Sequence, residues 1–185
     1  MARSLIALIA DGWVHKSMRS RSIVFFQKLN DMSIDYSNPV LVNFEYSREL
    51  ESGTGFGSDE NPENDLYRHP DRQGKPKAAF DKTHDLDALG TVLLEIGLGK
   101  SLAKTKQELL VASPEKSDID PDTFTENLIG LASRELSISM GAAYASAVGV
   151  CLRGDFGVSL RDPNFSLSVL ERVLEKLDSR RIQAL

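Results

Sequence analysis

The stretch Thr83–Lys100, THDLDALGTVLLEIGLGK, is the longest and most apolar run in the chain. Leu86, Leu89, Val92, Leu93 and Ile96 recur at three- and four-residue intervals, the spacing of one buried helix face. Leu94 and Leu98 widen that face until little of the middle is left for water. Thr83 is the predicted N-cap, and Asp85 and Asp87 fall in the first turn, where the helix dipole favours negative charge. Gly97 and Gly99, followed by Lys100, form the predicted stop. The pattern predicts a central helix with the remaining helices packed around it.

Working outward, residues 2–13 have helical spacing, with Leu5, Ile6, Leu8 and Ile9 inward and Gly12 near the end. Ile23–Phe26 and Pro39–Phe44 read as two short β-type runs, which predicts a small hairpin rather than a sheet domain. Leu102–Ala112, Asp122–Leu136, Ile138–Arg153 and Phe165–Leu177 are the further predicted helices, the third rich in Ala and Gly. No internal repeat is present. The fold class expected is mainly α with one hairpin, a single domain over residues 1–185.

The chain has 185 residues, 41% apolar and 26% charged, which suits one soluble globular core. No apolar run approaches the roughly 18–20 residues that cross a bilayer. The opening MARSLIALIA is too short for a secretory signal and lacks a cleavage site. One cysteine, Cys151, forms no internal disulfide and reads as a small buried residue. These features predict an intracellular, cytoplasmic protein without a membrane partner. The net charge of −5 is concentrated in residues 45–65, where seven acids face one base; the rest is close to neutral. Binding to nucleic acid is therefore not expected. The acidic stretch predicts a long exposed loop.

Four separated motifs fall into one order. VHKSMRSRSIVF resembles the catalytic loop and following strand of the protein kinase C-terminal lobe, VNFEY its D-F-G segment, and YRHPD the turn that ends an activation segment. HDLDALGTVLLEIGLGK resembles the long buried helix whose D-x-x-S-x-G start, Asp85 to Gly90 here, anchors the catalytic loop. More narrowly, the run is similar to kinase-like domains of fungal prion-inhibition and heterokaryon-incompatibility proteins. The match covers residues 2 to about 100. It makes residues 45–65 the counterpart of an activation segment.

The resemblance implies a scaffold without its chemistry. The catalytic-loop positions fall on His15, Ser17, Arg19 and Ser22, so a serine stands where the aspartate base would be and another where a metal-binding asparagine would be. The main Mg²⁺ ligand position falls on Asn43, an uncharged and poorer ligand for a hard cation, and Glu45 replaces the following glycine. Phe44, Tyr67, Arg68, Pro70, Asp71, Asp85 and Gly90 occupy positions that the resemblance makes structural. It implies that Asp85 bonds backbone amides of the His15 loop, that His15 packs beneath Phe44, and that Asp71 meets an arginine, for which Arg153 and Arg161 are candidates. The small lobe that would supply a glycine-rich loop and a strand lysine is expected to be absent.

The function so implied is that of a non-catalytic pseudokinase-like interaction or regulatory domain with no cofactor. Its expected partner is a protein, or the small lobe itself, covering apolar groups near Trp13, Phe25 and Phe44. The alternative is the C-lobe of an active kinase, using ATP and Mg²⁺, whose small lobe lies outside this product. Wide separation of Asp85 from the His15–Ser17 backbone would instead mark a helical domain unrelated to kinases.

Other constellations carry less. SGTGFGS (Ser52–Ser58) has glycines like a phosphate loop, but no strand–helix context and acidic flanks. His15, His69 and His84 lack the spacing of a metal site. Ser17, His15 and Asp85 form a triad on paper without the nucleophile-elbow context. Lys16, Arg19 and Arg21 form a basic cluster expected to face solvent or to dock the acidic 45–65 loop.

Overall fold

In a computed structural model of the chain, the residues described are 1–50, 52, 62–115 and 117–178. Among them the chain is mainly helical, and the long apolar run is its axis. Helix α3 spans Lys82–Leu98, and every residue from His84 to Glu95 is buried. Its start lies earlier than Thr83. Asp81 is the N-cap, its Oδ1 accepting from the Thr83 N–H at 2.8 Å and the Thr83 hydroxyl at 2.5 Å. His84 completes a capping box, its Nδ1 accepting the Asp81 N–H at 2.9 Å. Thr83 serves as a donor to the cap rather than as the cap itself, because an aspartate two residues earlier offers the stronger acceptor.

The helix continues through Gly97, which is there for packing: a Cβ at that position would lie 2.5 Å from Leu136 Cδ2. It ends at Gly99, whose φ of 63° is the left-handed conformation that glycine adopts without strain. Ile96, predicted inward, is 53% exposed; the buried stripe extends instead through Leu94 and Glu95.

Against α3 pack α1 (Ala2–Ala10) and, most extensively, α7 (Ala142–Arg153). Helix α4 (Leu102–Ala112) follows α3 directly, and α5 (Pro121–Leu131) packs on α7. Gly90 permits the approach of α7 to α3, since a Cβ there would sit 2.7 Å from Cys151 Cβ. Asp120 caps α5 and Pro121 opens it. The helix then widens into a π-turn, Ala132–Leu136, and the short α6, Ser137–Ser139. The single helix expected over 138–153 is divided at Gly141, whose φ is 85°. The last helical segment runs as α8 (Phe165–Val169), a π-turn (Leu170–Leu174) and α9 (Glu175–Leu177). Lys82 Nζ lies 4.1 Å from the Phe165 ring centre and ties this segment to the start of α3. A four-residue helix, α2 (Pro62–Asp65), precedes α3.

The predicted hairpin is present but short, with β2 (Ile23–Val24) antiparallel to β3 (Val40–Leu41) in the register Ile23 to Leu41. A second antiparallel pair joins β1 (Trp13–Val14) to β4 (Arg48–Glu49). The β1–β4 pair brings the segment after α1 against the start of the acidic stretch. Residues 51 and 53–61, the middle of that stretch and all of the SGTGFGS run but Ser52, lie outside the described residues. No helix among the described residues is long and apolar enough to cross a membrane.

Candidate functional site

Asp85, in the first turn of α3, is nearly inaccessible, and its carboxylate reaches a loop about seventy residues earlier. Oδ2 accepts the His15 N–H at 2.6 Å and Oδ1 accepts the Lys16 N–H at 2.9 Å. Burial pushes the carboxyl up to about 7 against the opposing pull of these two N–H groups. Lys16 stands at a φ of 66°, uncommon for a residue with a side chain. The left-handed turn presents consecutive amides to one carboxylate. The loop is thus shaped by its anchor.

The His15 ring is buried and committed on both nitrogens. Nε2 lies 3.0 Å from the Val42 carbonyl, which can only accept, so Nε2 carries the proton. Nδ1 then accepts the Ser17 N–H at 3.3 Å. The ring meets Phe44 edge-on, centres 4.8 Å apart. Burial lowers the His15 pKa. A histidine held this way has no lone pair for the Ser17 hydroxyl, and Asp85 faces backbone rather than ring. The Ser17–His15–Asp85 triad is therefore not formed.

Ser17, Ser22 and Asn43, which the resemblance places at chemical positions, do converge. The Ser22 hydroxyl donates to the Ser17 carbonyl at 2.6 Å, and Asn43 Nδ2 lies 3.3 Å from Ser22 Oγ and 3.4 Å from the Arg21 carbonyl. Asn43 occupies the left-handed region at φ 68°, which asparagine tolerates better than most side chains. The group consists of the Ser22 hydroxyl and the Asn43 amide bonded to each other and to the Ser17 and Arg21 carbonyls. It offers no ionised carboxylate to a hard cation and no base for proton abstraction.

The basic cluster divides. Arg21 reaches the end of the acidic stretch, 3.7 Å from Glu63 and 3.4 Å from the Asn64 side-chain oxygen. Both members of the ion pair are exposed, so it contributes little. Lys16 turns toward Arg48, Arg68 and Arg72. Its pKa is lowered by burial and then by Arg48 and Arg72, and burial together with Arg68 and Arg48 lowers that of Arg72. Arg72 is buried, donates to the Ala78 carbonyl at 2.6 Å and lies 5.8 Å from the Phe80 ring centre. Nε of Arg19, and Nε and Nη1 of Arg48, are buried without a hydrogen bond.

A second buried network has no counterpart in the sequence motifs. Glu95, set among the apolar residues of α3, accepts the Tyr67 hydroxyl at 2.9 Å and the Leu102 N–H at 2.8 Å. The Tyr67 oxygen also lies 2.8 Å from Ser20 Oγ. One carboxylate thus joins the His15–Ser22 loop, the 62–72 segment, α3 and the start of α4. The one signal for it in the sequence is the acid itself, a charge in the middle of LLEIGL.

His69, Asp71 and His84 gather with ligand-type atoms within 4.8 Å of one another. The Nδ1 lone pairs of both histidines are already used. His69 Nδ1 accepts the Asp71 N–H at 3.2 Å and His84 Nδ1 accepts the Asp81 N–H, leaving each neutral ring with its proton on Nε2. A metal ligand needs the reverse arrangement, with the second nitrogen donating, so these residues do not suit a metal. Asp71 lies 3.6 Å from His69 Nδ1 and is not ion-paired to either arginine expected for it: the Arg153 guanidinium folds back over Gly149, and Arg161 is exposed. Arg68 instead pairs with Asp65 at 2.9 Å. Pro70 is buried at the first position of a 3₁₀ turn capped by His69.

Above the loop, Trp13, Phe25, Phe26, Tyr36, Val40, Phe44 and Tyr46 are all exposed, and the hairpin tip carries Leu29 at 98% exposure. No protein-family model matches the chain, and neither a curated protein nor a solved structure does.

Proposed function

We propose that the chain is a non-catalytic, pseudokinase-like interaction or regulatory domain built on a C-lobe-like scaffold. The observation that carries this reading is the pairing of Asp85 with the backbone of His15 and Lys16 in a site whose chemical positions hold Ser17, Ser22 and Asn43. An anchor of this kind serves phosphoryl transfer only when the loop it holds presents a carboxylate base and metal ligands. Here the frame is buried and satisfied while those groups are hydroxyls and an amide. The contact between His15 and Phe44, and the burial of Pro70 and Gly90, support the same reading.

The exposed aromatic residues, with Phe25 against Tyr36 and Phe44 against His15, are where a protein partner would bind, because large exposed apolar surface on a globular domain marks an interaction site. The test is nucleotide binding. Titration of the purified chain with ATP and Mg²⁺ is expected to leave its melting temperature unchanged and to give no calorimetric signal. Mg²⁺-dependent binding, or phosphate transfer to a generic acceptor, would overturn the proposal.

A further inference from the structure

The helix that carries the Asp85 anchor begins on a histidine. His84 takes the third position of α3, where a capping box ordinarily has Glu or Gln, and its Nδ1 holds the Asp81 N–H at 2.9 Å. The ring is 5% exposed. His69 packs against it with ring centres 5.2 Å apart and an interplanar angle of 78°. It performs the same task one element earlier, accepting the Asp71 N–H and capping the Pro70–Arg72 turn. Both histidines therefore act as hydrogen-bond acceptors through Nδ1, a role that imidazole has only when neutral.

We propose that the His69–His84 pair is an acid-sensitive latch on the start of α3, and that protonation of His84 releases the His15–Lys16 loop held by the adjoining Asp85. A proton on Nδ1 turns the acceptor of the Asp81 N–H into a second donor facing it, so the capping box opens. The charged and titratable groups facing His84 are Asp81, at its own helix start, and His69, Arg72 and Asp71, on the turn packed against it; Asp71 also lies 3.6 Å from His69 Nδ1. Asp81 Oδ1, 3.4 Å from His84 Nδ1, favours the charged ring, but it is already occupied by the Thr83 N–H and hydroxyl.

Burial is the largest influence on His84 and lowers its pKa. The folded chain thus holds fewer protons at this site than the unfolded chain, and the contribution is lost as pH falls from the ordinary histidine value of 6.5 through the lower folded value. This release is independent of whether the chain binds nucleotide.

The test uses amide hydrogen exchange of the whole chain, read as protection factors so that intrinsic rates cancel. Between pH 7 and 5 the protection of the Asp81, His15 and Lys16 amides is expected to fall, by up to about tenfold per pH unit. His84→Gln keeps an acceptor for the cap but cannot titrate; it should hold the Asp81 amide flat over the same range, and leave at His15 and Lys16 only the smaller fall that comes from Asp85 itself, whose carboxyl lies at about 7. An equal acid-dependent fall in His84→Gln would overturn the proposal. Nitrogen-15 shifts of the wild-type ring give a second reading that needs no variant. Neutral His84 is expected with Nδ1 unprotonated and a midpoint below 6.5; an Nδ1–H form at pH 7 would also overturn it.

Discussion

The Tyr67 hydroxyl stands 2.9 Å from both carboxylate oxygens of Glu95. This contact joins the 62–72 segment to the central helix. Burial pushes the Tyr67 phenol up to about 12, with Ser20 opposing and the Glu95 charge adding to the effect. Removing the hydroxyl leaves a mostly buried carboxylate with the Leu102 N–H as its remaining donor. Tyr67→Phe is expected to destabilise the chain by about 1.5–3 kcal/mol, the range for a hydrogen bond to a charged group. Denaturant unfolding measures it, and an unchanged midpoint would show that the contact is not formed in solution.

Asp87 predicts a loss of stability as pH rises from about 4 to about 8. It is buried on α3, no hydrogen bond among the described residues reaches its carboxylate, and burial raises it to about 8 from an ordinary 3.8. The folded chain holds this proton more tightly than the unfolded one. Stability from Asp87 is therefore full below about pH 4 and declines as pH rises through about 8, by a few kcal/mol in all. Asp85 has the same sign, and His84 the opposite sign on the acid side. Asp87→Asn should flatten the decline of a melting-temperature profile between about pH 4 and 8. A wild-type profile level from pH 4 to 8 would contradict the assignment.

Gly90 predicts a steric cost. Its missing Cβ would lie 2.7 Å from Cys151 Cβ and 3.3 Å from Leu152, so α3 and α7 must separate to admit a methyl group. Gly90→Ala is expected to lose about 1–3 kcal/mol despite the better helix propensity of alanine. Thermal melting of this variant beside one at an exposed helix position, such as Ala103→Gly, separates packing from propensity. A stabilised Gly90→Ala would mean that the helices have room to spare.

The exposed aromatic face predicts association. Phe26, Leu29 and Tyr36 sit on one hairpin, and Phe25 meets Tyr36 at a tilt of 58° with ring centres 5.3 Å apart. Light scattering should show an apparent mass rising with concentration, and Phe26→Ser with Leu29→Ser should suppress the rise. A monodisperse monomer at high concentration would count against it.

How far these features can be read before folding depends on the range of the interaction. Leu86, Leu89, Val92 and Leu93 are buried as their spacing predicts, because periodicity reports directly which face meets a core. The β2–β3 register agrees with the two short apolar runs for the same reason. The β1–β4 pair escapes such a reading because two residues such as Arg48 and Glu49 leave no pattern. The cap falls on Asp81 rather than Thr83 because two good capping residues stand two apart, and only geometry shows which one accepts. Glu95 is illegible for a different reason. An acid in an apolar run looks like a tolerated exception until its donors, Tyr67 and the Leu102 amide, arrive from distant segments.

Every residue of α3 from His84 to Glu95 is covered, so as an isolated segment the helix has no orientation that would keep its apolar residues out of water. Its walls come chiefly from α1 and β1, well before it in the sequence, and from Ala132–Leu136 and α7, well after it. The helix therefore cannot persist as an early local intermediate with one wetted side. Its formation is tied to the arrival of α1 and α7 together, a closure between segments distant in sequence. A cut on either side of the axis would leave a hydrophobic rod without its sheath, prone to aggregate rather than to fold in part.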